Sequence, residues 1–142
     1  MDKNINQLFA NLTSAYTNFV QVANQLDPNK RYQVGVCGDW SPKDVVSHLV
    51  GWDQSLRELI VVPDGFDPPY EVDKFNAQSV AARKHLDWEE VMEEMETNFQ
   101  DLRLVLASVE PEMKIYQHII NWLPGRREDY EVHTNQLKAW LV

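Results

Sequence analysis

Residues 39–52 have the sequence DWSPKDVVSHLVGW, which contains a complete start signal for an α-helix. Ser41 can accept a hydrogen bond from the first turn, Pro42 fits the first helical position, and Asp44 can return a bond to the cap. Apolar residues then recur three and four positions apart, so we predict a helix that begins at Pro42 and buries one face. His48 falls on that buried face.

The same spacing extends in both directions from this stretch. Upstream, apolar residues from Ile5 to Leu26 predict a helix over about residues 4–26, which Pro28 ends. Downstream, Asp87 and Glu90 form a second cap pair that predicts a helix over about residues 88–109. These two helices and the one from Pro42 share the 3.6-residue period, which predicts an all-α fold.

The connection between the second and third main helices is rich in proline, which predicts a stiff segment over about residues 62–70. A short helix over about residues 72–84 follows it. The connection is about 25 residues long, which is ample for a crossover in a four-helix bundle. Near the C-terminus, Leu123-Pro124-Gly125 predicts a break between a helix at about 111–122 and a last one at about 126–141.

Composition predicts a single domain over residues 1–142 and excludes several classes of protein. The chain has 13 Lys and Arg against 22 Asp and Glu, a net charge of -9, and one cysteine. With no basic stripe, such a surface repels nucleic acid. No run approaches the roughly 18 apolar residues of a membrane span, and the N-terminus lacks a basic leader, so we expect a cytoplasmic protein with no membrane partner.

Three metal-competent side chains point inward in this arrangement. His48 lies on the second main helix, and Asp129 and His133 lie one turn apart on the last. Helix bundles build metal sites from facing helices, and two imidazoles with a carboxylate suit Zn²⁺, Ni²⁺ or Fe²⁺. The alternative is a hydrogen-bonded polar cluster without metal.

Further residues are candidates for a pocket around these three. Trp52 and Tyr130 are expected to line it. Arg126 either reaches into the pocket to hold an anionic substrate or lies at the surface. His85 and His118 have no second ligand nearby in the pattern, and Cys37 has only the wrongly charged Asp39 beside it to activate a thiol.

The stretch 39–52, together with residues 73–91 and 129–141, resembles the DinB-like superfamily, in particular its DfsB/ClbS and maleylpyruvate isomerase N-terminal branches. The resemblance implies a DinB-like four-helix bundle with a long crossover between the second and third helices. It also implies a divalent metal held by one histidine of the second helix and two of the last. His48 and His133 match two of these positions, and Asp129 occupies the third.

Activity is implied by the same resemblance. Members transfer low-molecular-weight thiols such as bacillithiol or mycothiol, catalyse thiol-dependent isomerisation, or hydrolyse a genotoxin. We therefore expect a metal-dependent hydrolase or thiol transferase that acts on an electrophilic small molecule, with a thiol as co-substrate, and a homodimer. The alternative is a metal-free bundle with a vestigial site that binds or sequesters a small molecule among Trp40, Trp52, Trp122 and Trp140.

Overall fold

The computed structural model describes residues 1–142, and every regular element is helical, which confirms the all-α prediction. The elements are α1 (Lys3–Gln25), α2 (Pro42–Val61), α3 (Val72–Ala82), α4 (Trp88–Leu106) and α5 (Tyr116–Lys138), with one turn of 3₁₀ helix at Pro28–Lys30. None of these helices combines the length and hydropathy needed to cross a bilayer.

Side-chain caps fix the starts of α2 and α4 where the sequence predicts them. Ser41 Oγ accepts a bond of 3.2 Å from the amide of Asp44, and the Asp44 carboxylate accepts one of 3.0 Å from the amide of Ser41. Asp87 and Glu90 form the same reciprocal pair, at 2.8 and 3.1 Å. Each pair satisfies two amides that have no partner within the helix.

The predicted break at Pro124 is wrong, because α5 runs unbroken from Tyr116 to Lys138 with the proline inside it. Residues 111–115 form turns instead of a helix. The buried face of α5 continues across the proline, through Ile119, Leu123, Arg126 and Tyr130. A proline inside a helix costs about 3 kcal/mol, and each large apolar side chain contributes about 1.5–3 kcal/mol when buried, so burial on both sides outweighs the lost hydrogen bond.

Pairwise contacts between the helices bring α2 and α5 to the centre of the molecule. α1 packs against α5, and α2 packs against α3, α4 and α5 around a single core of 27 buried apolar residues. α2 and α3 approach each other closely at Gly51, since a Cβ there would overlap the Ser79 side chain. This close approach lays α3 over the part of α2 that carries His48.

Candidate metal centre

The structure brings together the three side chains that the sequence selects. Nε2 of His48 on α2 and Nε2 of His133 on α5 each lie 3.1 Å from Oδ1 of Asp129. One ligand atom from each residue falls within 4.8 Å of the others. Around a tetrahedral ion with bonds of about 2.0–2.1 Å, neighbouring ligand atoms lie about 3.3 Å apart. The two imidazole–carboxylate distances are close to this value, and divalent transition metals use two imidazoles and a carboxylate as ligands.

The protonation of His48 follows from its neighbours on α2 and α3. Asn76 Oδ1 accepts a bond of 2.7 Å from Trp52 Nε1 and lies 2.9 Å from His48 Nδ1. Because an indole N–H can only donate, the Asn76 atom facing it is the carbonyl oxygen. His48 Nδ1 must then carry a hydrogen. The other ring nitrogen, Nε2 of His48, can then either donate a hydrogen bond to Asp129 or offer its lone pair to a metal ion.

His133, on α5, also has an amide oxygen beside its Nδ1. Its Nδ1 lies 2.6 Å from Gln136 Oε1, one turn further along α5. The rings of His48 and His133 meet edge to face, with centroids 5.1 Å apart. In both residues an amide oxygen engages the outer nitrogen while the inner nitrogen faces Asp129. Histidines that bind metals almost always donate their second N–H in this way.

The second oxygen of Asp129 belongs to a buried ion-pair network. Arg126 Nη1 donates to Asp129 Oδ2 at 2.6 Å, its Nε donates to Asp53 Oδ1 at 2.7 Å, and its Nη2 donates to the Leu49 carbonyl at 3.3 Å. Asp53 Oδ2 accepts a bond of 2.5 Å from the Tyr130 hydroxyl. The network joins α2 to α5 directly behind the three candidate ligands.

Electrostatics keep these groups in defined charge states. Burial raises the pKa of Asp129, but hydrogen bonds from His133 and His48 and the charge of Arg126 outweigh it and hold that pKa well below its usual range. Burial lowers the pKa of Arg126, yet the charges of Asp53 and Asp129 raise it further than burial depresses it. Burial and Asp53 raise the pKa of Tyr130. At neutral pH, Asp129 is a carboxylate and Tyr130 a neutral donor.

The residues predicted to line a pocket have three different placements. Trp52 is half-buried beside the centre, with its ring 4.4 Å from that of Phe75. Tyr130 is completely buried in the core, so its predicted pocket-lining role is wrong. Arg126 is also buried and its three nitrogens are engaged within the protein, so it neither lies at the surface nor holds an anionic substrate.

The remaining candidates lie outside the centre. His85 and His118 are exposed and belong to no group of potential metal ligands. Cys37 lines a groove of about 360 Å³ together with Trp40 and Asn76. The Trp40 ring lies 5.1 Å from that of His48, so this groove borders the centre.

Three side chains that contact the candidate ligands or their network were not predicted from the sequence: Asp53, Asn76 and Gln136. Asp53 did carry a signal, because it lies one turn from Leu49 and Leu56 on the apolar face of α2 and is a lone charge there. Gln136 lies three residues after His133, which is a weaker signal. Asn76 gave none, because its position depends on how α3 packs over α2.

Exposure differs among the three candidate ligands. The Asp129 side chain is 21% exposed, whereas those of His48 and His133 are each 7% exposed. Of the three candidate ligands, Asp129 is therefore the one that solvent reaches most. Both imidazoles are buried, and their Nδ1 atoms contact Asn76 and Gln136.

Comparisons with known proteins support the fold alone. No family model and no curated protein matches the chain. A crystal structure of an uncharacterised protein from Escherichia coli UTI89 is similar, with a TM-score of 0.78 and 13% sequence identity, over 99% of this chain and 94% of that chain. At this identity the similarity shows a shared all-helical architecture along the whole chain and nothing about activity.

Proposed function

We propose that the chain is a DinB-like metal-dependent enzyme, a hydrolase or low-molecular-weight thiol transferase acting on an electrophilic small molecule. His48, Asp129 and His133 would hold the divalent ion, with Zn²⁺, Ni²⁺ and Fe²⁺ as the candidates. In this proposal, the connection that contains α3 would be the crossover of that fold. The observation that carries the proposal is the shared approach of two imidazole Nε2 atoms to one Asp129 oxygen.

The chain's own residues prepare this centre for binding. Asn76 and Gln136 fix the orientation and the tautomer of the two imidazoles. Asp129 supplies a negative charge at neutral pH. A divalent ion with three protein ligands keeps a position for water or a thiol and lowers the pKa of that group.

The carboxylate at position 129 is the main difference from the pattern of two histidines on the last helix. Here it is accommodated, since Arg126 lies one turn earlier on α5 and pairs with its second oxygen. Two histidines and one carboxylate form a recognised facial set with open positions, typical of non-haem Fe²⁺ sites. The ion pair between Arg126 and Asp129 supports a working metal site that includes Asp129, in preference to a vestigial one.

Elemental analysis tests the proposal. The purified chain is loaded in turn with Zn²⁺, Ni²⁺, Fe²⁺ and Mn²⁺ and dialysed, and the metal content is measured for the wild type, His48→Ala and His133→Ala. We expect about one ion per chain in the wild type and almost none in either variant. His118→Ala, at an exposed histidine outside the centre, is the matched control and should bind like the wild type. A wild type without metal, or variants that retain it, would refute the proposal.

A second candidate is a metal-free bundle that binds or sequesters a small molecule. Four partly buried aromatic rings favour it. The centroid of the Trp52 ring lies 4.4 Å from that of Phe75 and 6.5 Å from that of Trp122. The centroids of the Trp122 and Phe66 rings are 6.0 Å apart. Such a cluster can take up an apolar ligand. Ligand-dependent quenching of tryptophan fluorescence that persists in a strong chelator would favour this function, and quenching lost on chelation would count against it.

A further inference from the structure

We propose that Arg126, held in place by Asp53, is a positioning residue that makes Asp129 a single-oxygen ligand. The inference rests on the proposed function, because it concerns how one of the three ligands meets the ion. It deepens that function by assigning a role to two buried charges that contact none of the histidines.

The geometry around Arg126 leaves it one orientation. Its Nε donates to Asp53 Oδ1, one Nη donates to the Leu49 carbonyl, and the other donates to Asp129 Oδ2. Asp53 is itself fixed, since its second oxygen accepts the Tyr130 hydroxyl. The side chains of Arg126 and Asp53 are 4% and 1% exposed. The guanidinium therefore cannot turn away from Asp129 without leaving a buried charge unpaired.

The consequence falls on the two oxygens of Asp129. Oδ2 lies 2.6 Å from the guanidinium, and Oδ1 lies 3.1 Å from each imidazole Nε2. A carboxylate on a flexible side chain could otherwise offer both oxygens to an ion, or swing toward solvent on its exposed side. Arg126 prevents both movements and so preserves an open position for a water or a thiol.

Lysine cannot replace arginine here. The guanidinium presents donors in a rigid planar fork, whereas an ammonium is a single compact centre that cannot reach Asp53, Leu49 and Asp129 in the same geometry. Changes in residues that support a ligand reduce metal affinity roughly 10- to 100-fold. Arg126→Lys should therefore change how the ion is bound even where the chain remains folded.

Cobalt binding tests this inference, because the visible bands of Co²⁺ report coordination number independently of any activity. The full chain is titrated with Co²⁺ as the wild type and as Arg126→Lys. Asp53→Asn combined with Arg126→Met provides a second variant that removes both buried charges together, in case the lysine variant does not fold. Circular dichroism identifies the folded fraction of each protein.

Arg83→Lys is the matched control. Arg83 is also buried, pairs with Glu94, and donates to the Ser79 carbonyl and to Gln54, but it lies outside the centre. The same substitution there should reduce stability and leave Co²⁺ binding unchanged. A purely structural role for Arg126 would give the same result at both positions.

In Arg126→Lys and in the double variant, where they fold, we expect the affinity for Co²⁺ to fall roughly 10- to 100-fold. We also expect the visible bands of Co²⁺ to weaken, because Asp129 would then offer its second oxygen and raise the coordination number. Wild-type affinity and an unchanged spectrum in both variants would overturn the role of Arg126 and leave the proposed function standing. A wild type that binds no Co²⁺ would overturn the proposed function and this inference together.

Discussion

Nε2 of His48 lies 3.1 Å from Oδ1 of Asp129, across a separation of 81 residues in the chain. The contact joins α2 to α5, and His133 adds a second contact to the same oxygen. Three side chains from two helices are thus organised around one point. If they bind an ion, residues that orient them should affect metal affinity without touching the metal.

Asn76→Ala should weaken metal binding without unfolding the chain. The substitution removes the acceptor for His48 Nδ1 and for the Trp52 indole, so the imidazole is free to rotate. We expect metal affinity to fall roughly 10-fold or more, measured by competition with a chromophoric chelator. Gln78→Ala, at an exposed position of the same helix, should bind metal like the wild type. Equal affinities in the two variants would mean that Asn76 does not position His48.

Asp129 should make the metal-free chain less stable in acid. Its pKa in the folded state is lower than its ordinary value of 3.8, so the folded state favours the ionised form. Such a group contributes its full stability above the unfolded pKa and loses it as pH falls toward the folded pKa. Urea unfolding followed by tryptophan fluorescence should therefore show a loss of stability between about pH 5 and pH 3 that is smaller in Asp129→Asn. The same loss in both proteins would contradict this account.

Gly51→Ala should disturb both the fold and the centre. The added Cβ would overlap the Ser79 side chain, so α3 would have to move and take Asn76 with it. We expect a loss of about 1–3 kcal/mol in the free energy of unfolding, together with weaker metal binding. Gly125→Ala is the matched control, since a Cβ there meets nothing within 4 Å and should stabilise α5 by up to about 1 kcal/mol. Full stability and full metal binding in Gly51→Ala would show that the close approach is not required.

Local signals in the sequence were enough to predict most helix starts and the three candidate ligands. The cap pairs Ser41–Asp44 and Asp87–Glu90 act within four residues, so neighbouring residues alone determine them. His48 and His133 follow from helical spacing, because both fall on faces that carry apolar residues.

Long-range contacts decided the features that were wrong or missed. Pro124 was expected to end a helix, but burial of the α5 face on both sides keeps the helix continuous. Asn76 reaches His48 only because α3 crosses α2 at Gly51. Tyr130 was placed in the pocket by its helix face, yet Tyr16 and Phe19 of α1 enclose its ring. Each of these features depends on contacts between different helices, which the residue pattern of one helix does not reveal.

X-ray absorption spectroscopy of the zinc-loaded chain tests the central claim most directly, because it reports the atoms bound to the ion. The account predicts a first shell of nitrogen and oxygen with the scattering signature of two imidazoles, and loss of that signature in His48→Ala. A shell that contains sulfur from Cys37, or one made of water without imidazole, would contradict a metal centre built from His48, Asp129 and His133.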